Sequence, residues 1–384
     1  EMLQVLLQII VLIEHLKKGM NLMVTKDILL EAIYLTKNNY YKNVVKKNGK
    51  YIYYYSPEQN KTEKKYNILR HAGTTYSILE TYELMPDDEL LKILESAINY
   101  MVGKVKDFKI NEKEVSVAVE KDTIKLGGNA LTIIMLAKYT EITKNFVYME
   151  LMQRMAIYIC ETQNKAGEFI IQKQRYSTKE IYKFKSEYYP GEAILSLIRL
   201  YQLDGNKDWL NSAELASCYL IKTRDKHADV NTIIHDHWLL YALNELYREK
   251  PHDIYIEHVL LITKSMMKSQ ITGNIENPDW NGAYRIPHIR LESTPTACRS
   301  EGLCAAYNLL HDYGYVTESS KIIKSIKEGI RFQLQNQLRP ESVVSYKNKK
   351  LCLGAFKRGI NCHDLRIDFT QHNISSLIAY YKIL

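Results

Sequence analysis

Four carboxylic acids stand at the polar starts of apolar segments in this 384-residue sequence: Glu192, Asp236, Glu301 and Asp368. An acid in the first turn of a helix is often only a cap, since helix N-termini favour negative charge. These four, however, come from separate segments and would converge if the segments lay side by side. A protonated carboxylic acid and a nearby carboxylate are the groups that cleave glycosidic bonds. The sequence therefore predicts general acid/base catalysis by carboxylates drawn from Glu192, Asp236 and Glu301.

Two histidines near such starts offer a second chemistry. His237 lies in the run HDHW and His372 in the run TQHN. Imidazole gains and loses a proton near neutral pH, so a pair of histidines can remove a proton from a sugar carbon and return it. A single histidine is more often structural. A sugar epimerase with His237 and His372 as its acid/base pair is therefore an alternative to hydrolysis.

A metal site is a third possibility for the same set of segments. Cys298 begins one apolar segment, and Cys362 and His363 stand together in NCHD before the last one. Two thiolates and an imidazole are ligands for zinc, and they would leave one coordination position open for catalysis. We expect no cofactor, with zinc on Cys298, Cys362 and His363 as the alternative.

Other polar and aromatic residues near these starts are predicted to bind substrate. Arginine beside a helix N-terminus favours an anion, because free N–H groups already attract one there. Arg299 and Arg366 are therefore expected to hold the anionic group of an acidic, uronic-acid-type saccharide. The predicted binding residues are Arg70, His71, Asn129, Tyr189, Trp238, Arg299, Arg366, Asp368 and Asn373. No Gly-rich phosphate loop, G-x-S-x-G elbow, H-E-x-x-H helix or dinucleotide fingerprint occurs, which argues against ATP, serine-hydrolase and NAD chemistry.

The elements that must position these side chains are six copies of one segment, in which a polar start runs into an apolar helical body. The copies can be followed from Gly73, Gly128, Gly191, Ile233, Ser300 and Gln371. They recur roughly every 45 to 70 residues, and such self-similarity indicates a repeat protein. A short link joins most copies to a more amphipathic helix, and short links make neighbouring helices antiparallel. Six such hairpins predict an all-α (α/α)6 toroid with the apolar helices as its inner ring.

The connections that return to each polar start are long and would all emerge at one end of the ring. Long ordered loops on one face of a rigid scaffold are where function usually sits. Two of them contain Gly-aromatic pieces, from Gly167 and from Leu353, that favour small β-hairpin excursions.

The first 65 residues precede the repeats and are expected to complete the ring, so that 1–65 and 66–384 form one structural domain. Met2 to Ile13 is apolar but much shorter than the roughly 20 residues of a membrane span, and we expect a packing helix. A second helix is expected from about Thr25 to Leu35. The tyrosine-rich run around Asn48-Gly49 is typical of a β-hairpin. The start at Glu1 suggests an upstream domain.

Composition narrows the class of ligand and the compartment. The formal net charge is +8 without a long basic run. This balance is poor evidence for nucleic acid and weak evidence for an acidic ligand. The 6 cysteines are scattered through the sequence. Such a pattern favours reduced thiols, and we therefore expect a cytoplasmic location.

With this architecture, the sequence resembles the six-hairpin superfamily, which includes many glycoside hydrolases, some polysaccharide lyases and the N-acylglucosamine 2-epimerase family. The resemblance covers roughly residues 68–384 and implies an active site in a funnel at the N-termini of the inner helices. The epimerases carry two catalytic histidines on inner helices, and His237 and His372 occupy comparable places. The Cys362-His363 pair with Cys298 looks somewhat like the zinc site of lanthionine cyclases. Hydrolysis of an acidic saccharide is the first expectation, and a non-catalytic helical-repeat binding module also stays open.

Overall fold

The computed structural model describes residues 24–285 and 291–384, so the helix predicted at Met2 to Ile13 lies outside the described residues. The ring is built from two kinds of helix. The inner helices are α2 (Ile68–Leu84), α4 (Leu126–Thr143), α6 (Tyr189–Asp204), α8 (His237–Glu249), α10 (Ser293–Asp312) and α12 (Ile367–Ile383). The outer helices are α1 (Lys26–Leu35), α3 (Asp88–Val102), α5 (Met149–Glu161), α7 (Lys207–Tyr219), α9 (Asp253–Lys268) and α11 (Val316–Leu334).

The inner helices form a closed ring. Each contacts the next one along the chain, and α12 contacts α2, which closes the circle. Their side chains are buried almost all round, as in α4, where every residue from Leu126 to Thr140 is buried. A helix that is apolar on all sides is stable only when it is covered on all sides. The predicted (α/α)6 toroid is thereby confirmed, and α1 packs against α12 as its outer neighbour.

The two ends of the ring differ in the length of their connections. At one end the chain turns sharply from inner to outer helix, as at Gly205, whose φ of +71° ends α6. At the other end long loops lead back to the inner helices. Polar side chains cap several starts there: the Asn67 oxygen accepts from the Leu69 and Arg70 amides. The long-loop end is therefore the end that presents the polar starts.

Two small antiparallel sheets occupy the long-loop segments. The first has the order β2 (Lys61–Thr62), β1 (Tyr54–Ser56), β7 (Leu365–Arg366), and it ties the N-terminal segment to the start of α12. The second runs in the order β3 (Val105–Ile110), β4 (Lys113–Glu120), β5 (Thr123–Lys125), β6 (Lys173–Arg175). Single bridges form at Gln163–Phe169 and Gln337–Phe356, where β excursions were predicted.

The tyrosine-rich turn forms a single antiparallel bridge between Val45 and Tyr51. Gly49 has a φ of +77° there, and a Cβ on it would lie 2.0 Å from the Ser96 carbonyl oxygen. Glycine is therefore required at this position for both its backbone angle and its close approach. Across the described residues, we find no helix with the length and apolarity needed to cross a membrane.

Candidate active site

A cavity of about 1360 Å³ opens at the long-loop end of the ring. All six inner helices contribute to its wall, which also includes loop residues and the end of α9. The wall includes Arg70, Leu131, Tyr188, Tyr189, Glu192, His235, His237, Trp238, Ser265, Lys268, Cys298, Arg299, Asp368, Gln371 and His372. The predicted funnel at the N-termini of the inner helices is therefore present as a cavity.

Two histidines of the cavity wall share one buried carboxylate. The rings of His237 on α8 and His372 on α12 meet edge to face, with centroids 5.4 Å apart. The Glu301 carboxylate on α10 reaches both: its Oε2 lies 3.1 Å from His372 Nδ1 and 3.7 Å from His237 Nε2. Three predicted catalytic residues from three different helices are thus brought together.

The two imidazoles differ in their surroundings. His237 is buried, and neither ring nitrogen has a hydrogen-bond partner among the described residues. Burial, reinforced by the neighbouring His372 and Arg299, lowers the pKa of His237 well below its usual range. Burial also disfavours the charged form of His372, but Cys298 and Glu301 outweigh it and raise its pKa well above the usual range. At neutral pH, His237 is therefore neutral, with a lone pair that can accept a proton, and His372 is protonated.

Glu301 itself is buried, and its only close cationic neighbour among the described residues is His372. Burial raises the pKa of Glu301 to about 7, although the contact with His372 opposes the shift. The hydrogen bond fixes the His372 ring: Nδ1 faces Glu301, and Nε2 lies 3.5 Å from Nε2 of Gln371, another residue of the cavity wall. A base oriented by a carboxylate is a recurring arrangement in catalytic sites.

Glu192 and Asp236 form a second acidic group on the neighbouring helices α6 and α8. Asp236 Oδ1 caps α8 by accepting from the Trp238 and Leu239 amides. Its Oδ2 and Glu192 Oε2 are buried and have no hydrogen-bond partner in the part of the chain that the structure describes. Burial raises the pKa of Asp236 to about 7. Burial and then the charge of Asp236 raise the pKa of Glu192 to about 8. Glu192 lines the cavity, whereas Asp236 lies behind it.

Arg299 is held at the cavity wall by uncharged partners. Its Nε donates to His235 Nδ1 at 2.9 Å, and its Nη1 donates to the Pro295 carbonyl at 3.0 Å. Since His235 Nδ1 accepts this bond, the proton sits on Nε2, which lies 2.8 Å from Ser265 Oγ. Among the described residues, no carboxylate lies within ion-pair distance of Arg299. The chain Ser265–His235–Arg299 therefore positions a cation beside the cavity without neutralising it.

Arg366 does not take the place predicted for it. It pairs with Asp368 through Nε and Nη2 and lies over the Phe369 ring, away from the cavity wall. Arg70 Nε donates to the same carboxylate at 2.8 Å. The two arginines outweigh the burial of Asp368 and lower its pKa. Two guanidinium groups share one carboxylate here, so the cluster keeps one net positive charge. Arg70 and Asp368 line the cavity, whereas Arg366 lies outside its wall and is corrected to a structural partner.

Three further residues predicted to bind substrate are also buried away from the cavity. His71 sits between the Tyr66 hydroxyl and the Ala97 carbonyl. Asn129 accepts from the Ala118 amide and donates to Lys125. Asn373 donates to the Phe369 carbonyl one turn back. These side chains satisfy backbone groups between elements, and they are corrected to structural residues.

The predicted metal ligands do not come together either. Cys362 Sγ lies 3.5 Å from Asp364 Oδ2, and His363 Nδ1 lies 2.6 Å from the Tyr346 hydroxyl. Cys298 instead lies near His237 and His372, with the ligand atoms of the three residues all within 4.8 Å of one another. The prediction of a Cys298–Cys362–His363 site is wrong, because the NCHD loop packs against other residues.

The cavity wall also contains two predicted aromatic residues and two polar residues that were not predicted. Tyr189 and Trp238 both line the cavity as expected. Ser265 and Lys268 at the end of the outer helix α9 were not predicted. The signal was available: each long loop begins where an outer helix ends, so those ends lie on the same face as the inner helix starts.

The sequence matches no protein-family model and no curated protein. Solved structures match closely in shape. Cellobiose 2-epimerase from Bacillus thermoamylovorans B4167 has a TM-score of 0.70 at 11% identity, covering 94% of this chain and 100% of that one. A D-mannose isomerase has a TM-score of 0.69 at 13% identity over 94% and 98%. This chain has their six-hairpin fold.

A hydrolase shares the same six-hairpin fold. An unsaturated glucuronyl hydrolase specific for heparin has a TM-score of 0.65 at 11% identity, with 94% of this chain and 98% of that one covered. Epimerases, isomerases and hydrolases of sugars are thus all built on this toroid. The choice between their chemistries rests on the side chains of the cavity.

Proposed function

We propose that this protein is a sugar isomerase that moves a proton between neighbouring carbons of an open-chain saccharide, with His237 and His372 as its acid/base pair. The observation that carries the proposal is the meeting of the two rings, 5.4 Å apart, in the wall of one cavity. The similar fold of a mannose isomerase and a cellobiose epimerase agrees with it.

In the proposed reaction, neutral His237 removes the proton from the carbon next to the carbonyl. The electron pair of that C–H bond forms the carbon–carbon double bond of an enediol, and the carbonyl electrons move to oxygen. Protonated His372 donates its proton to that oxygen, which gives the enediol. The neighbouring hydroxyl then returns a proton to His372 as its O–H electrons form the second carbonyl, and the electrons of the carbon–carbon double bond take the proton back from His237 at the other carbon. General acid/base groups of this kind typically contribute about 10² to 10⁴ in rate.

The spacing of the rings favours isomerisation over 2-epimerisation. Rings in edge-to-face contact leave no room for a sugar carbon between them, so both address the same side of a bound substrate. Transfer from C2 to C1 of a cis-enediol can use one face, whereas inversion at C2 needs a base and an acid on opposite faces. We therefore place aldose–ketose exchange first and epimerisation second.

Arg299 supports the earlier expectation of an acidic saccharide. A guanidinium below the surface without a carboxylate partner carries a desolvation cost that an anionic ligand would offset. Burial accordingly lowers the pKa of Arg299. Lys268, on the same wall, adds positive charge. We propose that a uronic-acid carboxylate of the substrate binds at Arg299.

The test is to incubate the protein with glucuronate, mannuronate, glucose and mannose in deuterated water and to follow C2 deuteration and ketose formation by NMR. We expect uronates to react, with turnover lost by about 10² to 10⁴ in His237→Asn and His372→Asn. His311→Asn is the control, because this histidine is exposed and remote on the same ring. Absence of both signals for every sugar would refute the isomerase proposal.

Hydrolysis of an acidic oligosaccharide is the second candidate, and the Glu192–Asp236 group supports it. Buried carboxylic acids with raised pKa values remain protonated at neutral pH and can protonate a leaving oxygen. The matching assay follows new reducing ends from uronic-acid oligosaccharides. If hydrolysis occurs, Glu192→Gln and Asp236→Asn should abolish it, while Glu249→Gln at the far end of α8 should not.

A further inference from the structure

Cys298 adds a third ligand-type side chain to the two histidines. His237, Cys298 and His372 come from the inner helices α8, α10 and α12, and their ligand atoms all lie within 4.8 Å of one another. All three line the cavity. His237 is buried with neither nitrogen partnered among the described residues, which is costly unless a ligand engages it.

The distances are close to those of a tetrahedral zinc site. Zinc binds imidazole nitrogen at about 2.0 Å and thiolate sulfur at about 2.3 Å, so ligands on one ion are roughly 3.3 to 3.8 Å apart. Closing the observed triangle thus requires shifts of about 1 Å, within the range of small side-chain rotations. The geometry of the residues suits zinc better than magnesium or calcium, which prefer oxygen ligands.

The neighbouring Glu301 strengthens the assignment. A histidine that binds a metal usually donates its other N–H to a carboxylate, which fixes the ring. His372 makes such a contact, with Nδ1 3.1 Å from Glu301 Oε2. Its Nε2 is thereby directed away from Glu301, and Gln371 Nε2, which lies 3.5 Å from it, would have to yield this nitrogen to an ion.

We propose that Zn²⁺ binds His237, Cys298 and His372, with its remaining coordination position open to the cavity, and that bound zinc switches off the sugar reaction. Binding releases two protons to solvent, one from the Cys298 thiol and one from Nε2 of protonated His372, and zinc then takes the thiolate sulfur and a lone pair from each imidazole. The inhibitory part rests on the proposed function, because the same two imidazoles cannot hold zinc and transfer protons. The binding part does not depend on it.

The experiment uses Co²⁺ as a spectroscopic substitute for zinc on the chelator-stripped protein. We expect one Co²⁺ per chain, with a thiolate-to-cobalt charge-transfer band in the near ultraviolet and displacement by Zn²⁺. The band should vanish in Cys298→Ser and persist in the control Cys362→Ser. Circular dichroism verifies folding, and Cys298→Ala provides a second variant. A band that survives in both Cys298 variants, or no binding by folded wild type, overturns the site.

A parallel assay separates the two proposals. Zn²⁺ should abolish the deuterium exchange of the wild type, whereas the exchange rate of Cys298→Ser should change little from that variant's own rate without zinc. If the cobalt band appears but no sugar reacts, the metal site stands and the isomerase proposal fails. If sugar reacts and zinc does not inhibit it, the isomerase proposal stands and the switch is overturned.

Discussion

His372 Nδ1 lies 3.1 Å from Glu301 Oε2, and this contact joins the sixth inner helix to the fifth. The carboxylate holds the ring in one orientation and stabilises its protonated form. Glu301 therefore acts through His372 as a positioning residue.

Replacing Glu301 by Gln should keep the shape of the side chain and remove its charge. We expect kcat for isomerisation to fall about 10- to 100-fold, the range typical of partners that orient a functional histidine. KM should change little, because Glu301 does not line the cavity. Steady-state kinetics on the uronate substrate measure both constants. Equal loss in Glu249→Gln, which is exposed at the end of α8, would contradict a positioning role.

Gly127 and Gly128 offer a matched pair at the start of α4. A Cβ on Gly127 would lie 2.2 Å from Glu192 Oε2 and 2.5 Å from Tyr189 Cδ1, whereas one on Gly128 would come no closer than 3.4 Å to Leu69 and 3.9 Å to Lys125. Gly127→Ala should displace both cavity residues and cost about 1 to 3 kcal/mol of unfolding free energy. Gly128→Ala should be neutral or stabilise by up to about 1 kcal/mol, because alanine favours the helix. Thermal unfolding and the sugar assay measure the stability and the turnover of both variants. Equal values for the two variants would contradict the close contact of Gly127 with Glu192 and Tyr189.

His71 predicts how stability depends on pH. Burial lowers the pKa of His71 to about 4, against about 6.5 in the unfolded chain. The unfolded state therefore binds more protons between these values, and stability falls as pH drops from 6.5 towards 4. The contribution is about 3 kcal/mol in total. Urea unfolding at pH 7 and 4.5 should show a smaller acid loss for His71→Gln than for wild type, while exposed His311→Gln should match wild type.

The Asp368 carboxylate is expected to stabilise the fold more than a surface ion pair does. Asp368→Asn leaves Arg70 and Arg366 without their shared carboxylate. Losing one member of a buried pair costs roughly 3 to 5 kcal/mol, and partial exposure of the arginines should reduce this to about 2 kcal/mol. Glu292→Gln, which breaks a pair with half-exposed Arg358, should cost at most about 1 kcal/mol. Urea denaturation measures the unfolding free energy of both variants. Equal losses would contradict a larger contribution from the buried cluster.

The periodicity of the sequence was sufficient to predict the ring of helices, but it did not predict the direction in which individual side chains point. The six apolar segments predicted the inner helices, because only a covered helix tolerates such a composition. The starts of those helices, however, face both the cavity and the neighbouring helices. His237 and His372 turn to the cavity, whereas His71 and Asn373 turn to backbone groups. Residue type does not distinguish these directions; packing against the next helix does.

The strands β3 to β5 were missed for a different reason. Their turns are two-residue pairs, Asn111-Glu112 and Lys121-Asp122, all with positive φ. Such turns join antiparallel strands tightly, but only asparagine and aspartate among these four residues signal them clearly. The alternation of polar and apolar residues in KEVSVAVE is typical of a strand, although this segment lies between two helices of the repeat.

The closing position of α12 has a consequence for biosynthesis. This helix packs between α10 and α2 and carries His372, yet it follows the other five inner helices in the chain. The ribosome therefore synthesises those five inner helices before it reaches His372, one of the two cavity histidines. Until α12 emerges, the apolar flanks that it covers on α2 and α10 stay open, and such surfaces attract chaperones or aggregate. The nascent chain is thus unprotected until its last inner helix inserts, and the pair of imidazoles on which the proposed function depends is complete only when the ring closes.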